Sequence, residues 1–169
     1  MKNQMIVAWV WAVMTVSTFA VGLQARYASA EQSGTFHGSW IASGKRQMLD
    51  YTANREVFTF TIEGHLNLED HVGQVRDFWS TCIGLWDSQT GGTARCVWRS
   101  PQHNNIYSMM SGELLKEGVA VQGEFVGGTG KAEGIEGTFS LTWQSIFFNG
   151  DERVLTLHAK DVAGTYRIP

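Results

Sequence analysis

Between Glu56 and Leu68 the chain reads EVFTFTIEGHLNL, and its side chains alternate in character along the whole segment. Phe58, Phe60, Ile62, Leu66 and Leu68 fall on one face, and Thr59, Thr61, Glu63, His65 and Asn67 on the other. Successive strand side chains point to opposite faces, whereas a helix would scatter this pattern around its circumference. The segment is therefore a half-buried β-strand. One strand cannot bury its own apolar face, so the rest of the chain must supply partners.

Those partners are legible. Gly34–Ser43, Val75–Asp87, Thr93–Ser100, Asn104–Leu114, Val119–Val126, Ile135–Phe148 and Arg153–Ile168 all read as strands, separated by short polar or glycine-bearing turns. Lys116-Glu117-Gly118 and Asn149-Gly150-Asp151 mark two of the hairpins. Helical periodicity is absent beyond residue 30. About eight strands joined in sequence predict an all-β domain over residues 31–169, an eight-stranded antiparallel up-and-down β-barrel in which closure removes the sheet edges. A β-sandwich is the alternative. Lys45–Arg55 has no clear pattern and is expected to form a loop over a barrel mouth.

Residues 1–30 have a different composition. Lys2 precedes an apolar run from Met5 to Leu23, and Ala28-Ser29-Ala30 offers small residues at a cleavage position. This order predicts a secretory signal peptide, with the mature chain starting at Glu31 in the periplasm or outside the cell. The apolar run is also long enough to stay as an uncleaved N-terminal membrane anchor, and that alternative remains open. Of the 13 basic residues only Lys2 and Arg26 fall in this segment, while all 16 acidic residues follow it. Residues 31–169 thus carry 13 − 2 = 11 basic and 16 acidic side chains, a net charge of −5 with histidine neutral. That balance argues against a nucleic-acid partner, which would need a basic face. Both cysteines, Cys82 and Cys96, flank a turn-like Ser88-Gln89-Thr90-Gly91-Gly92, and in an exported chain they are expected to form one disulfide.

The run GGTGKAEGIEG, Gly127 to Gly137, lies between two strands. A phosphate-binding loop would need Ser or Thr after its lysine and a helix beyond; Ala132 follows Lys131, and the next segment is strand-like. The structural reading fits better: Gly127, Gly128 and Gly130 form a tight turn, and Gly134 and Gly137 permit a bulge or close backbone packing. This run, with the hairpin CIGLWDS…ARCVWR, resembles the allene oxide cyclase and dirigent barrels, in particular bacterial exported relatives of unassigned function. The resemblance implies an eight-stranded barrel with a central cavity and a homo-oligomer, often a trimer in the plant members. It also implies cofactor-independent cyclase or isomerase chemistry as one possible activity. No catalytic residue is carried over from it.

Glu63 and His65 are the candidate catalytic pair, being two apart on the polar face of one strand; on a cavity wall Glu63 would orient His65 or act as a base beside it. The bland reading is that this face is solvated. His65, Glu69, Asp70 and His71 suggest a metal cluster, but their spacing matches no strong metal pattern and straddles a turn, so a solvated loop is preferred and no metal is expected. His37, His103 and His158 are scattered along the chain. Tyr107 and Arg95 lie on separate strands that a sheet could bring together. Five tryptophans and eight phenylalanines follow residue 30, enough to line an apolar pocket, with Trp40, Tyr107 and Trp143 as expected ligand contacts. Phe147 and Phe148 break the alternation and are candidates for a subunit contact. With no evident nucleophile or cofactor loop, the expected function is non-catalytic binding of a small hydrophobic molecule, without a cofactor. A cyclase/isomerase and a structural partner in an envelope complex are the alternatives.

Overall fold

A computed structural model describes residues 31–145 and 154–169, the side chain of Ser145 excepted. The strands are β1 (Gln32–Thr52), β2 (Arg55–Asp70), β3 (Val75–Asp87), β4 (Gly91–Arg99), β5 (Asn105–Leu114), β6 (Val119–Gly128), β7 (Glu136–Ser145) and β8 (Val154–Ile168). Each pairs antiparallel with its neighbours in sequence, and β8 returns to β1, so the sheet is a closed eight-stranded barrel rather than a sandwich. A single 3-10 turn, Gly130–Ala132, separates β6 from β7.

Alternation decides which face turns inward. Ile62, Leu66 and Leu68 of β2 are buried, while Thr61, Glu63, His65 and Asn67 between them are exposed. The same sorting on the other strands fills the lumen with aromatic rings. Trp40 packs against Trp143 with centroids 4.7 Å apart, and Trp98 packs against Phe139 and Phe125 at 4.9 and 5.2 Å. Rings of this size fit because inward glycines face some of them. The Phe60 ring occupies the space a Cβ on Gly84 would need, and the Phe139 ring does the same at Gly123.

The cysteine hairpin pairs as its turn residues suggest. Cys82 and Cys96 are directly opposite on β3 and β4, with Cα atoms 4.1 Å apart, and form a disulfide inside the lumen. Both are buried, and Cys96 Sγ lies 4.0 Å from Met110 Sδ.

Two expectations need correction. Lys45–Arg55 is not a loop. β1 runs on to Thr52 and pairs with β2 around a two-residue turn at Ala53-Asn54, Leu49 opposite Val57 and Thr52 opposite Arg55. The lost alternation reflects the exposure of this hairpin beyond the barrel body: Met48, Leu49 and Tyr51 face solvent, so no buried face imposes a pattern. Arg46 stacks on the Phe58 ring and Arg55 on that of Tyr51, at 5.2 and 5.1 Å. Gly128 also behaves differently. Gly127, Gly130, Gly134 and Gly137 have positive φ, but Gly128 does not; it is glycine because a Cβ there would strike the Ala132 carbonyl oxygen. The turn expected at 149–151, together with Phe147 and Phe148, lies outside the described residues, as does the predicted signal segment.

The lumenal disulfide closes a loop of fifteen residues, for which the chain-entropy model gives about 3 kcal/mol. A Cys82→Ala/Cys96→Ala double variant should lose stability of that order in urea unfolding. Gly130→Val should cost about 1–3 kcal/mol, because a β-branched residue is forced to φ +59° and into Asn104. Lys131→Ala beside it should leave the unfolding midpoint almost unmoved.

Candidate functional site

One end of the barrel is open. The N-terminal part of β1, the β2–β3 turn, the β4–β5 turn, the 3-10 turn and the C-terminal end of β8 surround a bowl of about 520 Å³. Its wall is apolar and largely aromatic, made by Phe36, Phe78, Trp98, Ile106, Phe125 and Tyr166, among others. Polar groups sit around the mouth: Gln32, Gln74, Asn104, Arg76, Lys131 and Asp70. An apolar cavity with a few placed polar groups is the common form of a small-molecule site.

Asp70 is the last residue of β2, and strand alternation turns its carboxylate inward, where its side chain is 3% exposed. A buried charge must be matched, and here the following turn supplies the match. Oδ1 accepts the backbone N–H groups of Gln74 and Val72 at 2.9 and 3.1 Å, and Oδ2 accepts from Arg76 Nη2 at 3.2 Å. The Gln74 amide, with Val72 and Arg76 behind it, holds the Asp70 carboxyl below the usual carboxylate range against the opposing effect of burial. Asp70 thus folds the β2–β3 turn and fixes Arg76 at the mouth.

Across the mouth, Asn104 performs a similar tie. Asn104 Oδ1 accepts the backbone N–H of Lys131 at 3.0 Å, Asn105 N donates to Thr129 Oγ1, and Thr129 N donates to the Asn105 carbonyl. Gly130 permits this, since its φ is +59° and Asn104 occupies the place of its missing Cβ. The glycine run therefore shapes the rim of the bowl, which its sequence position alone did not reveal.

Glu63 and His65 require a correction. Both are exposed on the outer face of β2, away from the bowl, and His65 lies edge-on to Trp79 with centroids 4.8 Å apart. In a barrel of this size the apolar face of the strand fills the lumen, so the polar face cannot also line a cavity. Of the expected ligand contacts, Trp40 and Trp143 are buried in the packed lumen and Tyr107 is on the outer surface; none of the three is on the bowl lining. Tyr107 and Arg95 share the outer face of adjacent strands, Tyr107 opposite Val97 and Arg95 opposite Met109. The residues suggesting a metal diverge as well. Asp70 turns inward to Arg76, while Glu69 is exposed and lies 3.9 Å from His37. No cluster that could hold a metal ion occurs among the described residues. His103 adopts φ +61° in the β4–β5 turn, and His158 pairs with Ile41 on β1.

Three polar side-chain atoms, Trp40 Nε1, Trp98 Nε1 and Ser108 Oγ, are buried without a protein partner. At the end opposite the bowl, Asp87 accepts from Arg55 Nε and Nη2 and from Gln89 N, and the Arg55 pair first and the Gln89 amide second hold its carboxyl far below the usual range.

Fold and site together define a closed eight-stranded antiparallel barrel with an apolar bowl at one end. No protein-family model, curated protein or solved structure matches the chain. No helix among the described residues is long and apolar enough to cross a membrane. The disulfide is compatible with an oxidising, exported setting.

Asp70 and Asp87 have folded-state pKa values below their unfolded ones, so the unfolded chain binds more protons in acid. Their contribution is fully present well above the ordinary carboxylate value of 3.8 and is lost as pH falls through that value toward the folded pKa. Urea midpoints measured from pH 6 to pH 2 should fall below about pH 5. Asp70→Asn and Asp87→Asn should each be less stable at pH 6 and flatten that decline.

Proposed function

We propose that this protein is an exported, non-catalytic carrier or binder of a small hydrophobic molecule, held in the bowl at the open end of the barrel. The observation that carries the reading is the bowl itself: about 520 Å³ of mainly apolar and aromatic wall beneath a polar mouth. The carboxylates on its lining favour binding over cyclase or isomerase chemistry. Asp70 has both oxygens engaged, and Asp77 accepts from Asn67 Nδ2 at 2.6 Å. Asp70 therefore has no oxygen left to act as a base toward a guest. The resemblance to the allene oxide cyclase and dirigent barrels belongs to this proposal too; barrel closure and the glycine run before β7 are in keeping with it. Export rests on Lys2, the Met5–Leu23 run and Ala28-Ser29-Ala30, with the lumenal disulfide in support.

The neutral fluorophore N-phenyl-1-naphthylamine should bind saturably, brighten, and quench tryptophan emission. Ile135→Trp, which fills the bowl, should weaken it about tenfold or more, equivalent to about 1.4 kcal/mol. Ile83→Ser on the outer face should leave it unchanged. Loss of binding in Ile83→Ser with retention in Ile135→Trp would place the site elsewhere. N-terminal sequencing of protein from its native host should begin at Glu31; a chain still starting at Met1 in the membrane fraction would favour the anchor.

A second reading has its own observation. Trp79, Ile83 and Leu85 stand on the outer face of β3 at 41%, 64% and 46% exposure, and Ile41 on β1 and Tyr107 on β5, each two strands away, are exposed as well. Large apolar side chains exposed together along one strand are a feature of protein contact surfaces, and we propose that this face packs against a further copy of the chain or an envelope partner. Light scattering should show an oligomer that Ile83→Lys dissociates; a wild-type monomer at high concentration leaves the envelope partner.

A further inference from the structure

We infer that the bowl selects amphipathic monoanions, with an apolar body on the aromatic wall and the anionic group held at the mouth by Lys131. This deepens the binding reading above and rests on it.

The inference follows from accounting for each charge on the lining. Asp70 is buried and saturated by two backbone amides and Arg76. Asp77 lies on the exposed face of β3 and is bonded to Asn67. Arg76 is half-exposed and already committed through Nε and Nη2 to Asp70 and through Nη2 to Gln74 Oε1. Lys131 differs: among the described residues its ammonium group has no hydrogen bond or ion pair. Glu133, two positions on, forms no ion pair with it. Glu31 and Glu136 are both ion-paired to Arg167, at 3.6 and 3.2 Å. The mouth therefore offers an uncommitted cation, and its buried anion, Asp70, is already satisfied.

Lys131 is also held in place. Its backbone N–H is fixed by Asn104, and the 3-10 turn around it is closed by Ala132 N to Thr129 O and Glu133 N to Gly130 O. Gly130 is what lets Asn104 come so near. A turn that depends on glycine at positive φ is an elaborate way to place an ordinary solvated lysine. Nor is a cation here a consequence of general basicity, because the chain has a net charge of −3. A guest whose apolar part enters the bowl leaves its head group at this rim, where a charge-assisted hydrogen bond outweighs a neutral one.

Three matched probes separate the terms: 1-naphthylacetate, 1-naphthaleneethanol and 1-naphthylmethylammonium, titrated at pH 7.5 by tryptophan quenching. The wild type should bind the acetate about fivefold or more tightly than the alcohol, and the ammonium compound most weakly. Lys131→Met should bring the acetate down to the affinity of the alcohol without altering the alcohol, while Lys131→Arg should keep the preference. The preference should shrink in 1 M NaCl. Equal binding of acetate and alcohol by the wild type, or a preference that survives Lys131→Met, would overturn the charge selection while leaving the bowl reading intact. Failure of all three probes to bind would overturn both.

Discussion

Closure of β1 against β8 is the constraint from which the rest of this structure follows. Once the sheet is closed, each strand has one face toward a narrow lumen and one toward solvent, and no register slip of a single residue is tolerable. Trp40, Leu66, Cys82 and Trp98 are then all committed inward together, and each is almost wholly buried. The disulfide reinforces this commitment, because Cys82 and Cys96 face each other only in the register that also turns Ser80 and Trp98 inward. Closure also demands local adjustment. Between β1 and β8 the register shifts at Lys160–Asp161, and the Asp161 carboxylate takes the N–H of Thr142 on β7 at 2.8 Å. A side chain thus satisfies a strand donor where the ladder is interrupted.

Much of this architecture was legible because the sequence alternates wherever one face is buried. β3 has the boundaries its residues suggest, Val75 to Asp87, β5 and β6 differ only at their ends, and β7 starts one residue later than expected, its expected end lying outside the described residues. The exception is instructive. β1 was readable as far as Ser43 and unreadable beyond, although the strand continues to Thr52. Past Lys45 its side chains are mostly exposed, and the ladder described for it there is the one with β2. Hydrogen bonding leaves no period in a sequence; burial does.

The site was less legible, for a related reason. Alternation shows that a strand has two faces but not which of them a cavity uses. Glu63 and His65 share the polar face, and that face looks outward here because five apolar neighbours on the same strand must go in. The bowl is built instead where strands end and side chains come from six separate segments. Phe36, Ile106 and Tyr166 are far apart in the chain and carry no shared motif. Asp70 did leave a local signal, an aspartate opening a turn and followed by Arg76, which is the pattern of a carboxylate capping its own backbone. Its company of His65, Glu69 and His71 obscured that signal by suggesting a metal.

The glycine run joins the two parts of the argument. Glycine inside a β-structure weakens it by roughly 0.5–1 kcal/mol per residue relative to alanine, and a barrel that already buries unpaired Trp40, Trp98 and Ser108 polar atoms has little reason to accept more. Yet the run is concentrated at one place, between β6 and β7, and its members do different work. Gly127 belongs to the bulge where Tyr107 pairs with Gly127 but Ser108 already pairs with Phe125. Gly128 leaves room for the Ala132 carbonyl, and Gly130 leaves room for Asn104. The result is a short turn that folds back over the open end rather than continuing the strand away from it. A simple hairpin between β6 and β7 would have closed the sheet equally well. It would not have carried Ala132 and Ile135 onto the wall of the bowl, nor Lys131 onto its mouth, and the lost stability is best understood as the cost of that placement.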